Sequence, residues 1–436
     1  MPPPLTALSR YGGWLPKSRK IHQAFFDEHL KLAKHRQKNN VAHVPAVLEF
    51  EKAIKSDPIM SLLFRKIFLQ VAPQNTIPDF EHLLSMLDNV VVAAPKFQLA
   101  PGEEGEPIGV PMYLLFDLLS NTDAGHDLFR MPAFNVALKN LLNVWGSYLK
   151  SGNSNNTLTA EIDGWFGSVG LASLEAKGRG IFNETYVTPD PNAINRGYTS
   201  WDDFFTRQIQ DNARPIDAAH DRSLIHSACE STVYRIARNV KAHDQFWLKA
   251  QSYSIYDMLG IEADRSYVEQ FTGGTVYQAF LSPQDYHRWR SPVDGVTEKA
   301  VVIPGTYYAV IPDAGAEPDD PDLPPGDPHG ALIRSQAWLT MTSARALIFI
   351  RAANPVIGLM CFIGVGMAEV STCTLSVADG QPVKTGDELG MFHFGGSSHA
   401  LIFGPHVNVT FADNVVVDNH LWVNSIIAQV SPATGA

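Results

Sequence analysis

The spacing of apolar residues changes character part-way along this chain, and that change limits the folds open to it. In the first part, apolar positions recur every three or four residues. The segment "IHQAFFDEHLKLAKH" puts Ile21, Phe25, His29 and Leu32 on one helical face. "SDPIMSLLFRKIFLQ" supplies Asp57 as an N-cap and Pro58 at the first helical position, where a missing N–H costs nothing. Phe80–Val92 and Phe134–Leu149 continue the pattern. From Ser223 onward the runs shorten and alternate, as in "STVYRIA", "GTYYAVI", "ALIFIRAA" and "HALIFG", with Gly, Pro, Asn or Asp between them. The two periods predict an α+β protein: a helical N-terminal domain over 1–185 and a β-rich domain over 186–436. "SNNTLTAEID" and "VTPDPNAINRG" read as the connection. With 436 residues, 45% of them hydrophobic, the chain can bury the cores this requires.

Charge narrows the partners. A net charge of −11 without a long Lys/Arg run argues against nucleic acid and against docking on anionic lipid, and leaves small molecules as the expected ligands. The start, "MPPPLTALSRYGGWLPKSRK", has prolines where a signal peptide would have a basic stretch and an apolar run, and no segment approaches 18 uninterrupted apolar residues. A soluble, cytoplasmic protein without a membrane anchor is expected. Cys229, Cys361 and Cys373 are odd in number and lie in apolar surroundings, so they read as free buried thiols and not as a disulfide framework or metal site. The acidic, proline-rich stretch 312–330 does not have the spacing of a calcium loop and reads as a solvated loop or lid.

The segment "FHFGGSSHALIF" sets two glycines and two serines between strand-like runs. A tight turn explains it simply. A second reading is chemical: beside Gly396 the backbone can be strained, and the Ser397 hydroxyl can attack the carbonyl before it, turning the amide into an ester. Elimination at that serine would cut the chain and leave a pyruvoyl group on the new amino terminus. Such a serine needs a base and oxyanion donors. A phosphate loop is disfavoured because no Lys or helical run follows the glycines, and a serine hydrolase because the nucleophile-elbow pattern is absent.

Four segments in order, "GYTSWDDFFTRQIQDNARPID", "LKAQSYSIYDMLG", "FLSPQDYHRWRSPVDG" and "VKTGDELGMFHFGGSS", resemble the phosphatidylserine decarboxylase family across most of residues 197–436. "GGWLP", "ACES", "YHRW" and "GMAEVSTC" resemble its soluble fungal branch, typified by the L-tryptophan decarboxylase of the psilocybin pathway in mushrooms. The resemblance implies self-cleavage between Gly396 and Ser397, giving chains 1–396 and 397–436 that stay together, the second capped by a pyruvoyl group made from Ser397. That group acts as the electron sink in decarboxylation, with no pyridoxal phosphate and no metal. It implies L-tryptophan, or another aromatic L-amino acid, as substrate, and His287 as the acid–base group. Trp201, Tyr198, Tyr307 and Tyr308 are candidates for an indole pocket. His393 and His399 are expected at the surface or in supporting positions.

The chain departs from the family pattern twice. Arg290 stands where a second histidine is usual, and a guanidinium cannot act as a base. It is a candidate to hold a substrate carboxylate. Glu230 stands where the membrane enzymes have an aspartate, and is expected to orient His287. Two other functions stay open from sequence: phosphatidylserine decarboxylation, and an uncleaved relative that binds a ligand without catalysis.

Overall fold

Helix α1 (Arg19–Lys38) begins where Ser18 caps the amide of Ile21, and it buries Ile21, Phe25 and His29. Leu32 was expected on the same face but is 42% exposed, and Ala33 takes the inward position. Between α2 (Pro45–Ser56) and α3 (Pro58–Gln70), the Asp57 carboxylate accepts from the amides of Ile59 and Met60 at 2.8 and 3.1 Å. Asp79 caps α4 (Phe80–Val90) in the same way, and Thr122 caps α6 (Asp123–Arg130), which follows α5 (Pro111–Ser120). Helix α7 (Pro132–Leu149) buries Phe134, Leu138, Leu142 and Trp145. A short hairpin, β1 (Lys96–Gln98) with β2 (Glu106–Ile108), joins these helices.

The computed structural model describes residues 11–243, 253–260, 265–370, 372–395 and 397–433. Its chain is organised as two units that exchange segments. Residues 1–176, 188–205 and 306–335 form a helical unit, and 177–187, 206–305 and 336–436 form a sheet unit. The reading from sequence drew one boundary, at 185/186; here the chain passes between units several times. The acidic stretch 312–330 is not free in solvent. Tyr11 donates to Asp320 at 2.8 Å, Arg334 holds Asp313 at 2.6 and 2.8 Å, and Arg19 pairs with Asp327.

The sheet unit contains β3 (Leu224–His226), β4 (Ser231–Arg238), β5 (Thr275–Leu281), β6 (Arg288–Arg290), β7 (Gly295–Ile303), β8 (Arg345–Ala352), β9 (Leu359–Gly366), β10 (Thr372–Leu375), β11 (Pro382–Val383), β12 (Glu388–His393), β13 (Ser397–Phe403), β14 (Val407–Phe411), β15 (His420–Leu421) and β16 (Ile426–Pro432). An eight-stranded sheet runs β11-β7-β8-β9-β13-β5-β4-β15, with two three-stranded sheets, β10-β12-β6 and β14-β16-β3. All the pairings are antiparallel. Strand β13 lies inside the large sheet, so its backbone is hydrogen-bonded on both sides, to β5 and β9. Tyr277, Trp289, Phe362, Phe392, Leu401 and Phe403 belong to the core of this unit. Trp289 lies against Gly364 and Gly390, where a Cβ would come within 2.9 and 2.7 Å of its ring, so those positions need glycine.

Candidate active site

Ser397 is the first residue of β13, opposite Leu281 on one side and Gly366 on the other. The turn that delivers it from β12 is strained: Phe394 has φ 64° and Gly395 φ 119°. A left-handed backbone at a bulky residue costs about 1–3 kcal/mol and persists only where its surroundings enforce it. Gly396 lies outside the described residues.

The two serines after the glycines have different environments. Ser398 Oγ accepts from Gln278 at 2.9 Å and lies 3.2 Å from the Ala279 carbonyl. Ser397 is fully buried, and its Oγ has no hydrogen-bond partner among the described residues. A hydroxyl taken from water without a partner costs about 1–3 kcal/mol. It also stays available to react. Strand alternation explains the contrast: Ser397, His399, Leu401 and Phe403 share one face, and Ser398 points to the other.

His287 sits in the loop between β5 and β6, and its backbone carbonyl accepts from Phe392 N at 2.9 Å. The loop is thereby fixed to β12, the strand that leads into the Ser397 turn. The imidazole is fully buried, edge-on to Phe392, and its Nε2–H donates to the Ser282 carbonyl at 3.1 Å. Burial pushes its pKa down to about 3, against the opposing pull of Asp285. It is neutral at physiological pH, and a weaker base than an imidazole in water.

Glu230 does not have the partner expected from sequence. Both its carboxylate oxygens accept from Arg214, each at 2.8 Å, and Arg214 in turn donates to the Arg179 carbonyl and stacks on Trp422 at 4.3 Å. The acid in the histidine loop is Asp285. It accepts from Arg179 Nε at 2.6 Å, His420 Nε2 at 3.0 Å and the Ser282 amide at 2.7 Å. Burial acts to raise its pKa, but Arg179 and His420 outweigh it and hold the carboxyl well below the usual range. Arg207 completes the group, donating to the Gln284 carbonyl at 2.7 Å and lying 4.1 Å from the Tyr186 ring. Sequence reading missed Arg179, Arg207, Arg214, Asp285 and His420. The signal within reach was Asp285, two residues before His287. Arg207 and Arg214 stand in the first of the four family segments, which does not say what they touch, and Arg179 comes from a segment that carries no motif.

Arg290 donates to the Tyr286 hydroxyl at 2.7 Å. His393 Nε2 lies 3.1 Å from Thr374 Oγ1. His399, expected at the surface or in a supporting position, is fully buried between Phe362 and Tyr277, and neither ring nitrogen has a hydrogen-bond partner among the described residues. Burial lowers its pKa to about 3. The four aromatics suggested for an indole pocket are in the helical unit and are buried there: Tyr308 packs on Phe116 and Phe129, Trp201 on Trp165 and Phe205, Tyr198 on Phe166. Tyr307 is 5% exposed in the same unit. The three cysteines are free, Cys229 and Cys361 buried and Cys373 partly so. Among the described residues no helix is long and apolar enough to cross a membrane.

Two phosphatidylserine decarboxylase family models match the chain, over residues 44–174 and 201–428. The decarboxylase iboD of Amanita muscaria is 55% identical, over 80% of this chain and 100% of its own length. The L-tryptophan decarboxylase of Psilocybe cubensis is 34% identical, over 89% of this chain and 87% of its own. The phosphatidylserine decarboxylase proenzyme 3 of Schizosaccharomyces pombe is 30% identical over 51% of this chain and 20% of its own length.

Proposed function

This chain belongs to the phosphatidylserine decarboxylase family, in a branch with fungal decarboxylases, and from that premise we propose that it is an amino-acid decarboxylase that cuts itself between Gly396 and Ser397. The observation that carries the reading is the Ser397 hydroxyl: buried, without a hydrogen-bond partner among the described residues, and held at the end of a strained turn, while its neighbour Ser398 is engaged by Gln278 and the Ala279 carbonyl. These features suit a serine that is consumed to make a pyruvoyl group. When formed, that group supplies a conjugated carbonyl that takes up the electron pair left at the substrate Cα as CO2 departs.

The remaining duties fall to the chain's own side chains. Strand β13 anchors the new terminus between β5 and β9, which fixes where the substrate amine must arrive. His287, kept neutral by burial, is the proposed proton carrier: once protonated, an imidazole in that environment gives its proton readily, here to the substrate Cα. Asp285, Arg179 and His420 hold the loop that carries it. For the substrate we propose L-tryptophan, yielding tryptamine in the cytoplasm. The support is the likeness to the Psilocybe enzyme; the buried aromatics of the helical unit add none. The name of the Amanita relative specifies no substrate.

The test is the intact mass of the purified protein under denaturing conditions, with and without a carbonyl reagent, followed by CO2 release from a panel of L-amino acids and from phosphatidylserine. Cleavage after Gly396, a reactive carbonyl on the smaller chain, loss of both in Ser397→Ala, and turnover of L-tryptophan are the expected results. A single unmodified chain would sink the proposal. Two chains that turn over a non-aromatic amino acid or the lipid would leave maturation standing and replace the substrate.

A further inference from the structure

Maturation as proposed leaves the proton of the Ser397 hydroxyl without a destination, because an alcohol attacks a carbonyl only as a base takes that proton. Arg290 stays charged and holds Tyr286, both oxygens of Glu230 are bound to Arg214, and the imidazoles of His287 and His399 are weakened as bases by their burial.

The topology brings another group to the place. Among the described residues, six connections carry the chain between the β10-β12-β6 sheet and the eight-stranded sheet, and one pair of them with matched ends reaches Ser397. One leads from Gly366, the last residue of β9, to Thr372, the first of β10; the other leads from His393, the last of β12, to Ser397. Their ends are paired in register, Gly366 with Ser397 and Thr372 with His393, so the two connections begin and end beside each other. Glu369 stands midway along the first and is 1% exposed. No other titratable residue lies in either connection. Each also carries a non-glycine residue with positive φ, Ala368 at 51° and Phe394 at 64°, so both are held in conformations they would not adopt freely.

We infer that the Glu369 carboxylate is the proton acceptor for Ser397 in self-cleavage; the inference rests on the maturation proposed above. As Ser397 Oγ bonds to the carbonyl carbon of Gly396, its proton passes to Glu369. The C–N bond between Gly396 and Ser397 then breaks, and Glu369 returns the proton to the departing nitrogen, leaving an ester in place of the amide. Elimination across Cα–Cβ of Ser397, with its Cα proton passing to water and its Cβ–O bond breaking, releases the Gly396 carboxylate and leaves dehydroalanine. Water then displaces its nitrogen as ammonia to give the ketone, with no oxidant or reductant consumed.

The experiment follows the fraction of cleaved chain against time, by denaturing gel and intact mass, in the wild type, Glu369→Gln and Glu369→Asp, with urea unfolding to establish that each is folded. Glu369→Gln is expected to slow cleavage on the order of 100-fold, and Glu369→Asp, which keeps the carboxylate, to recover at least about tenfold of that. Cleavage of Glu369→Gln at the wild-type rate, or no recovery in Glu369→Asp, overturns the inference and leaves the proposed maturation standing. Normal cleavage with a raised KM also overturns it, since it moves Glu369 to the substrate amine. A wild-type chain that stays whole overturns both. If Glu369→Gln does not fold, Glu369→Ala with added formate decides: formate-dependent cleavage supports the assignment, and formate-independent cleavage at the wild-type rate overturns it.

Discussion

His399 and Glu230 were both visible in the sequence, which left His399 between the surface and a supporting position and did not show Arg214 as the partner of Glu230. The alternation of "HALIFG" identifies a strand, but which strands flank it decides whether its histidine meets water or Phe362, and those neighbours come from distant parts of the chain. Burial lowers the pKa of His399 from 6.5 to about 3, so between those values the unfolded chain binds a proton that the folded one refuses. The sign follows: stability is complete above pH 6.5 and is lost as the pH falls toward 3. His399→Leu is therefore expected to lose about 2 kcal/mol less than the wild type between pH 7.5 and 5.0, measured as the change in urea unfolding free energy; equal losses would place the histidine in water. Glu230 carries a different prediction, because the pair it forms with Arg214 is bidentate and buried. Glu230→Gln leaves a guanidinium without its counter-charge and is expected to cost about 3–5 kcal/mol. Adding Arg214→Met should recover much of that loss, and strictly additive costs in denaturant would argue against the coupling. Ser397 gained its chemical reading over the tight turn only through the four ordered family segments, since a turn explains a hydroxyl after two glycines simply.

Helix boundaries were legible wherever a local rule sets them. Asp57 and Pro58 stop one helix and start the next through contacts spanning three residues, and sequence contains everything that geometry requires. The acidic stretch 312–330 was not legible, because the groups that hold it, Tyr11, Arg19 and Asn121, lie about 200 residues or more away. An Asp- and Pro-rich segment looks solvated until its cations and donors arrive. Arg334 gathers several of these ties: both oxygens of Asp313, the His329 carbonyl at 2.6 Å and the Tyr11 hydroxyl at 3.1 Å. Arg334→Ala is expected to raise amide exchange across 312–330 at least about tenfold, the equivalent of roughly 1.4 kcal/mol of lost local protection, with little change in the sheet unit. Exchange that stays at the wild-type level would mean the remaining ties are enough.

At the scale of the whole molecule, the change of hydrophobic period foretold two kinds of architecture but not their interleaving. A segment such as 306–335 joins the helical unit although it lies between strands, and periodicity does not say which core a short connecting segment will enter. The position of the proposed cut has a consequence at this scale. The segment 397–436 supplies β13 inside the eight-stranded sheet, β15 at its edge, and β14 and β16 of the small sheet. Cutting before β13 removes one covalent link but leaves hydrogen bonds on both sides of that strand, so the two chains are expected to co-elute in native gel filtration and separate only in denaturant. Refolding is a different matter. The uncut Ser397→Ala chain needs only an intramolecular closure, for which the cost grows slowly with loop length, whereas the cut protein must bring two molecules together before its central strand can be inserted. Dilution from urea should return Ser397→Ala to the native state at a rate independent of protein concentration. The cut protein should recover in a concentration-dependent way and fail in the nanomolar range, and equal, concentration-independent recovery of both would show that the small chain is not integral to the sheet.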